Sequence, residues 1–142
     1  MNKTHTDKNK IVIDLLRIGS YLLRTGNRLL SDFDLNHQQF VVLRQIYLHG
    51  PICQKDICSQ LFFEKSNISK IVKKLQSNNL IKNIYCSRDS RINQLVITKK
   101  GQGIINKGMD IFNGWNDEWL QTLSEKEISQ AIMILEKLNK QI

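Results

Sequence analysis

Glu64-Lys65-Ser66-Asn67-Ile68-Ser69-Lys70-Ile71-Val72-Lys73-Lys74-Leu75 is the stretch whose reading decides the fold of this chain. Ile68, Ile71, Val72 and Leu75 fall at i, i+3, i+4 and i+7, the spacing that lines a single face of an α-helix. The opposite face carries Ser66, Asn67, Ser69, Ser77 and the lysines Lys70, Lys73 and Lys74, with no acid among them. Such a helix anchors itself by one apolar stripe and offers hydrogen bonds and positive charge outward. It is predicted over residues 65–78. Just before it, Gln54–Leu61 reads as a shorter helix with Ile57 and Leu61 inward. Just after it, Asn79 stands where a left-handed residue is wanted, which asparagine tolerates better than most. Two extended runs follow, residues 81–86 and 93–98, separated by Ser87-Arg88-Asp89-Ser90-Arg91, which reads as a hairpin with a basic tip.

The charge distribution supports the same focus. Residues 61–100 hold nine basic side chains (Lys65, Lys70, Lys73, Lys74, Lys82, Arg88, Arg91, Lys99, Lys100) against Glu64 and Asp89, so this block carries +7 of the net +8. One face is therefore suited to a polyanion, and nucleic acid is the leading candidate. An anionic membrane surface would instead require a basic amphipathic helix with an exposed aromatic or leucine face.

Two short helices followed by a hairpin form the winged helix-turn-helix plan, in which the second helix enters the major groove. A helix about 10–12 Å across fits a major groove about 12 Å wide. Ser66, Asn67, Ser69 and Lys70 are placed near bases, and Lys65 stands at the entry to that helix. Lys73, Lys74 and Lys82 are read as phosphate contacts. Arg88 and Arg91 suit the minor groove, whose negative potential attracts guanidinium. Any one of these lysines taken singly reads as a solvated helix face; it is their one-sided arrangement that argues for a ligand.

Helices are expected on both sides of this lobe. Over residues 10–30 apolar positions recur at helical spacing, with Leu15, Leu22, Leu29 and Leu16, Leu23, Leu30 in two heptad rows that suit lengthwise packing on another helix, and equally a plain core helix. After a polar break at residues 31–35, Asn36 and Gln39 form a capping-box pattern for a helix with Phe40, Val41, Leu43, Ile46 and Tyr47 inward. Gly50-Pro51 ends it, with glycine expected to take a left-handed turn. Beyond Gly101 a helix carries Ile104, Ile105, Met109, Phe112, Trp115, Trp119 and Leu120 on its apolar side, weakened by Gly103, Gly108 and Gly114. Ser124 and Glu127 form a second capping box, opening a last helix with Ile128, Ile132, Leu135, Leu138 and Ile142 expected to be buried.

These residues carry a resemblance. Leu35-Asn36-His37-Gln38-Gln39-Phe40 is similar to the start of the second helix of the multiple-antibiotic-resistance regulator (MarR) family. The stretch from Glu64 to Leu75 resembles that family's recognition helix. Asp89-Ser90-Arg91, followed five residues later by Ile97-Thr98-Lys99-Lys100-Gly101, matches its wing and the entry to the next helix. The resemblance runs over residues 35–101, and it implies a single 1–142 domain, mainly α with a small β-hairpin wing. Residues 35–101 would be the DNA-binding lobe, and residues 8–30 and 102–142 the dimerisation helices of a triangular homodimer. It implies that Arg91 enters the minor groove while Asp89 helps hold the loop, on a pseudo-palindromic double-stranded DNA operator. It also implies a transcription regulator, a repressor by preference, that a small lipophilic or phenolic ligand releases. The chain departs from the family at Cys53, where threonine or serine usually caps the third helix, and at Phe62 and Asn79, where glycine is common. Ile84 and Tyr85 replace wing residues that are often basic.

Other chemistries find less support. At 142 residues and 41% hydrophobic, the composition is that of a globular domain, without an apolar run long enough to cross a bilayer. The polar start lacks a secretory pattern, so a cytoplasmic protein is expected. Cys53, Cys58 and Cys86 form an odd, scattered set, read as reduced thiols; oxidant sensing by one of them is the alternative role. His49, Cys53 and Cys58 match no closed metal pattern, so neither metal nor cofactor is expected. Trp115 and Trp119, at i and i+4, read as core or dimer seam. Neither an acid-base pair beside a nucleophile nor a phosphate-cradling glycine loop is present, so an enzyme is not expected. The rival readings are a winged helix that docks on an acidic protein, and a binder of structured RNA, for which an aromatic stacking platform is missing.

Overall fold

A computed structural model describes residues 2–86 and 89–142. The elements are helices α1 (Lys3–Leu29), α2 (His37–His49), α3 (Gln54–Leu61) and α4 (Lys65–Ser77), strands β1 (Ile81–Cys86) and β2 (Asp89–Ile97), and helices α5 (Lys99–Trp119) and α6 (Glu125–Asn139). Internal contacts divide the chain into one unit up to Met109 and another from Asp110 onward.

The first unit has a closed core. Phe40, Leu43, Ile46, Ile57, Ile68, Leu75, Leu80 and Leu95 are all essentially inaccessible to solvent. Burying each such side chain contributes about 1.5–3 kcal/mol. The four residues of the apolar stripe predicted for α4, Ile68, Ile71, Val72 and Leu75, are its buried residues. In α2 the buried face is Phe40, Val42, Leu43 and Ile46, so the expected Val41 and Tyr47 are replaced by Val42. For Val41 the cause is angular: at 3.6 residues per turn Val42 lies beside Ile46, while Val41 points away from that arc; Tyr47 falls within the arc and is nonetheless 43% exposed. The predicted capping box is formed, with Gln39 N–H donating to Asn36 Oδ1 at 2.8 Å and Asn36 N–H to Gln39 Oε1 at 3.0 Å.

Helix α1 begins well before residue 10. Asn2 caps it by accepting from Thr4 N–H at 3.3 Å, and Lys10 pairs with Asp14 one turn on. Apolar periodicity could not reveal these first turns, because they bury no side chain. Strand β2 likewise starts at Asp89, ahead of the expected Asn93, with a register irregularity between Tyr85 and Cys86. Gly50 is extended (φ −66°, ψ 150°) and does not take the expected left-handed turn. What requires glycine there is space: a Cβ would sit 2.5 Å from the Ile46 carbonyl oxygen. Helix α5 starts at Lys99, two residues ahead of Gly101, because Thr98 Oγ1 accepts from Gly101 N–H at 3.1 Å. Gly108 faces the Phe40 ring closely enough that a Cβ would clash at 2.4 Å. The helix runs through its glycines without a break.

In the second unit Ser124 and Glu127 form the expected capping box. Trp115 and Trp119 stack with ring centroids 5.1 Å apart. The expected burial of α6 does not occur within one chain: Ile132, Leu135, Leu138 and Ile142 are 44–75% exposed. On α1, Ile11, Val12, Leu15, Leu16 and Ile18 are also exposed. Periodicity specifies an apolar face but not the partner that covers it.

Candidate nucleic-acid interface

Three residues, Phe62, Phe63 and Glu64, join α3 to α4. Phe62 closes α3 in the left-handed region (φ 55°), with its ring 73% exposed. This is a conformation that costs a residue with a Cβ about 1–2 kcal/mol. Cys53 makes no side-chain cap for α3; its thiol instead donates to Asp56 Oδ2 at 3.2 Å. That agrees with thiol sulfur being a weak acceptor. A side-chain bond from Gln45 to Gln60 ties α3 to α2.

Because the stripe at Ile68, Ile71, Val72 and Leu75 faces inward, the centre of the outward face of α4 consists of Ser66, Lys70, Lys73 and Ser77, all exposed. Lys65 is exposed at the first turn. Asn67 and Lys74, seven residues apart, flank the face on its α2 side and both have partners there. Asn67 Nδ2 donates to Gln38 Oε1 at 3.3 Å, and Lys74 Nζ lies 3.1 Å from Asp34 Oδ2. Lys74, read from sequence as a phosphate contact, is thus paired with a carboxylate within the chain. The pair is solvent-exposed and worth about 0–1 kcal/mol, so a phosphate could compete for the lysine. Ser69, half-buried, flanks the opposite edge.

The hairpin is fixed beside α4 at several points. Asn79 is left-handed (φ 58°), as its position predicted, and it turns the chain from α4 into β1. Gln76 Nε2 donates to Asn83 Oδ1 at 3.1 Å across α4 and β1. Thr98 Oγ1 donates to the Asn79 carbonyl at 2.7 Å, and Thr98 N–H to that of Leu80 at 3.0 Å. Ile52 and Leu95 exchange backbone bonds of 3.1 and 2.8 Å, adding a short bridge to the two strands. Lys100 Nζ donates to the Asn78 carbonyl at 3.0 Å, where a cation also suits the negative end of α4. Its charge counted toward the basic block in the sequence, yet the structure gives it a local task. Lys82 is exposed on β1. Arg88 lies outside the described residues. Asp89 and Arg91 open β2, but their side chains lie outside what the structure describes.

Asp34 and Gln38 border this surface and were not found from sequence. They meet α4 across 40 and 29 residues of chain, and no local pattern encodes such contacts. Among the described residues no group of three or more His, Cys, Asp and Glu side chains could hold a metal ion, and no helix is long and apolar enough to cross a membrane.

A short helix pair whose second member carries an acid-free outward face, with a hairpin pinned to that member's far end, defines a winged helix-turn-helix protein. Comparison with known proteins shows what the chain is similar to. Residues 35–92 match the MarR family model. The HTH-type transcriptional regulator MhqR of Bacillus subtilis is 26% identical over 134 residues, covering 94% of this chain and 92% of that protein. The HTH-type transcriptional regulator BilQ of Clostridium symbiosum is 28% identical over 87 residues, which span 61% of this chain and only 60% of the relative. In fold, a MarR family transcriptional regulator from Listeria monocytogenes, solved in complex with a 26mer DNA, superposes with a TM-score of 0.87 at 24% identity, over 92% of this chain and 87% of that one.

Proposed function

We propose that this protein is a homodimeric regulator of transcription that binds duplex DNA through residues 35–101. In this reading α4 lies in the major groove, with Lys65, Ser66, Asn67, Ser69 and Lys70 toward bases. Lys73 and Lys74 meet phosphates, and the wing carries Arg88 and Arg91 to the minor groove, with Asp89 steadying its loop. The observation that carries it is the outward face of α4, which presents Ser66, Lys70, Lys73 and Ser77 and no carboxylate. The names of MhqR and BilQ, and the DNA in the Listeria structure, support the same assignment. Dimerisation through residues 8–30 and 102–142 is supported by the apolar side chains that α1 and α6 leave exposed on the single chain. Exposed apolar faces of that kind mark association sites. A two-fold protein then reads a pseudo-palindromic operator.

Repression, and release by a small lipophilic or phenolic ligand, complete the proposal. Genomic footprinting of the protein, followed by salt titration on the recovered duplex, tests it. Affinity should fall by about 0.9 decades per decade of salt for each phosphate neutralised. RNA of the same sequence should compete poorly. Equal competition by RNA, or binding only to acidic protein, would replace the duplex reading.

A further inference from the structure

We propose that Gln38 is a positioning residue for base selection: it holds the Asn67 amide in the orientation that reads adenine. This rests on the duplex-DNA reading above. Asn67 is the third residue of α4, in the N-terminal turn that meets base edges when such a helix lies in the major groove. Its Nδ2 donates to Gln38 Oε1 at 3.3 Å, and both side chains are half-buried. The backbone that carries Gln38 is firmly mounted. It sits in the first turn of α2, between a residue whose backbone N–H donates to Asn27 Oδ1 at 2.7 Å and a residue that closes the capping box.

An asparagine amide has two N–H donors and one carbonyl acceptor. Donating one N–H to Gln38 leaves the second N–H and Oδ1 for a ligand. Those two groups side by side match the N7 acceptor and N6 donor of adenine, the bidentate pairing that asparagine makes in the major groove. An amide held by nothing presents oxygen and nitrogen in either order, and half of that population is mismatched. The contact with Gln38 couples the two amides: with Gln38 Oε1 facing α4, as it does in the structure, the Asn67 N–H faces it in turn and the matched order is held before DNA arrives. A residue of α2 therefore takes part in sequence choice without touching a base.

Selection from a randomised duplex library, with wild type, Asn67→Ala, Gln38→Met and Gln38→Glu in parallel, tests this. Wild type should select adenine at one position of each half-site, and Asn67→Ala should abolish that choice alone. Gln38→Met, similar in size but without the acceptor, should lower adenine discrimination there by at least about fivefold, the lower limit for one bidentate base contact. Gln38→Glu, which still accepts, should restore the choice whatever its added charge does to overall affinity. A merely structural role would weaken all positions evenly. Unchanged adenine preference in Gln38→Met, or an even loss across the site, overturns the proposal while leaving DNA binding intact. Wild type that selects no sequence at all overturns the duplex reading and the proposal with it.

Discussion

The lobe around α4 and the helices at the two chain ends use similar apolar periodicity to different effect. In α4, Ile68, Ile71, Val72 and Leu75 are 0–4% exposed because α2, α3 and β1 all pack against it. In α6, Ile132, Leu135 and Leu138 recur with helical spacing too, yet they are 44–52% exposed. The lobe satisfies its apolar groups within one chain, whereas the end helices leave theirs for another surface. An amphipathic pattern thus states how much apolar area a helix must cover, and the rest of the chain decides whether the cover is internal.

Removing equivalent leucines from the two regions should give the largest contrast. Leu75→Ala opens a cavity in the closed core and should lower the unfolding free energy by about 2–5 kcal/mol at any protein concentration. Leu135→Ala should act mainly through association, so that its effect appears as a changed concentration dependence of the denaturation midpoint. Equal, concentration-independent losses in urea titrations would break the comparison. Next in size, Arg91→Ala should weaken operator binding by about 1–3 kcal/mol, with a thermal midpoint close to that of wild type. This separates the lobe's binding surface from its core. A fall in midpoint matching the fall in affinity would assign Arg91 to folding.

Two smaller changes sharpen the account of the lobe itself. Cys53→Ser supplies α3 with the side-chain acceptor it lacks and should add about 1 kcal/mol of stability, measured by denaturant unfolding. Phe62→Gly relieves the left-handed strain but adds freedom to the unfolded chain, so the net gain should be about 0.5 kcal/mol. A loss on Phe62→Gly would mean that the exposed ring makes a contact more valuable than the strain it costs.

Much of the fold was legible because its signals are local. The capping boxes at Asn36 and Ser124 involve residues three apart, and both form. Asn79 followed from the need for a left-handed residue after α4. What was not legible shares a cause. Gly50 and Gly101 are set by carbonyl oxygens of Ile46 and Leu80 that approach them in space, and the sequence shows a glycine without showing the neighbour. Lys74 and Lys100 look alike to Lys70 as charges, but folding gives the first a carboxylate and the second a carbonyl.

The sequence by itself determined the helices, the hairpin and the basic block, because periodicity, capping and charge act over a few neighbouring residues. Only the tertiary structure decided which of the basic and polar side chains remain at the centre of the outward face. It brought Asp34 and Gln38 to the edge of α4 and left the flanks of α1 and α6 open. Those outcomes depend on contacts between residues far apart in the chain, where close packing, and not local preference, selects the neighbour.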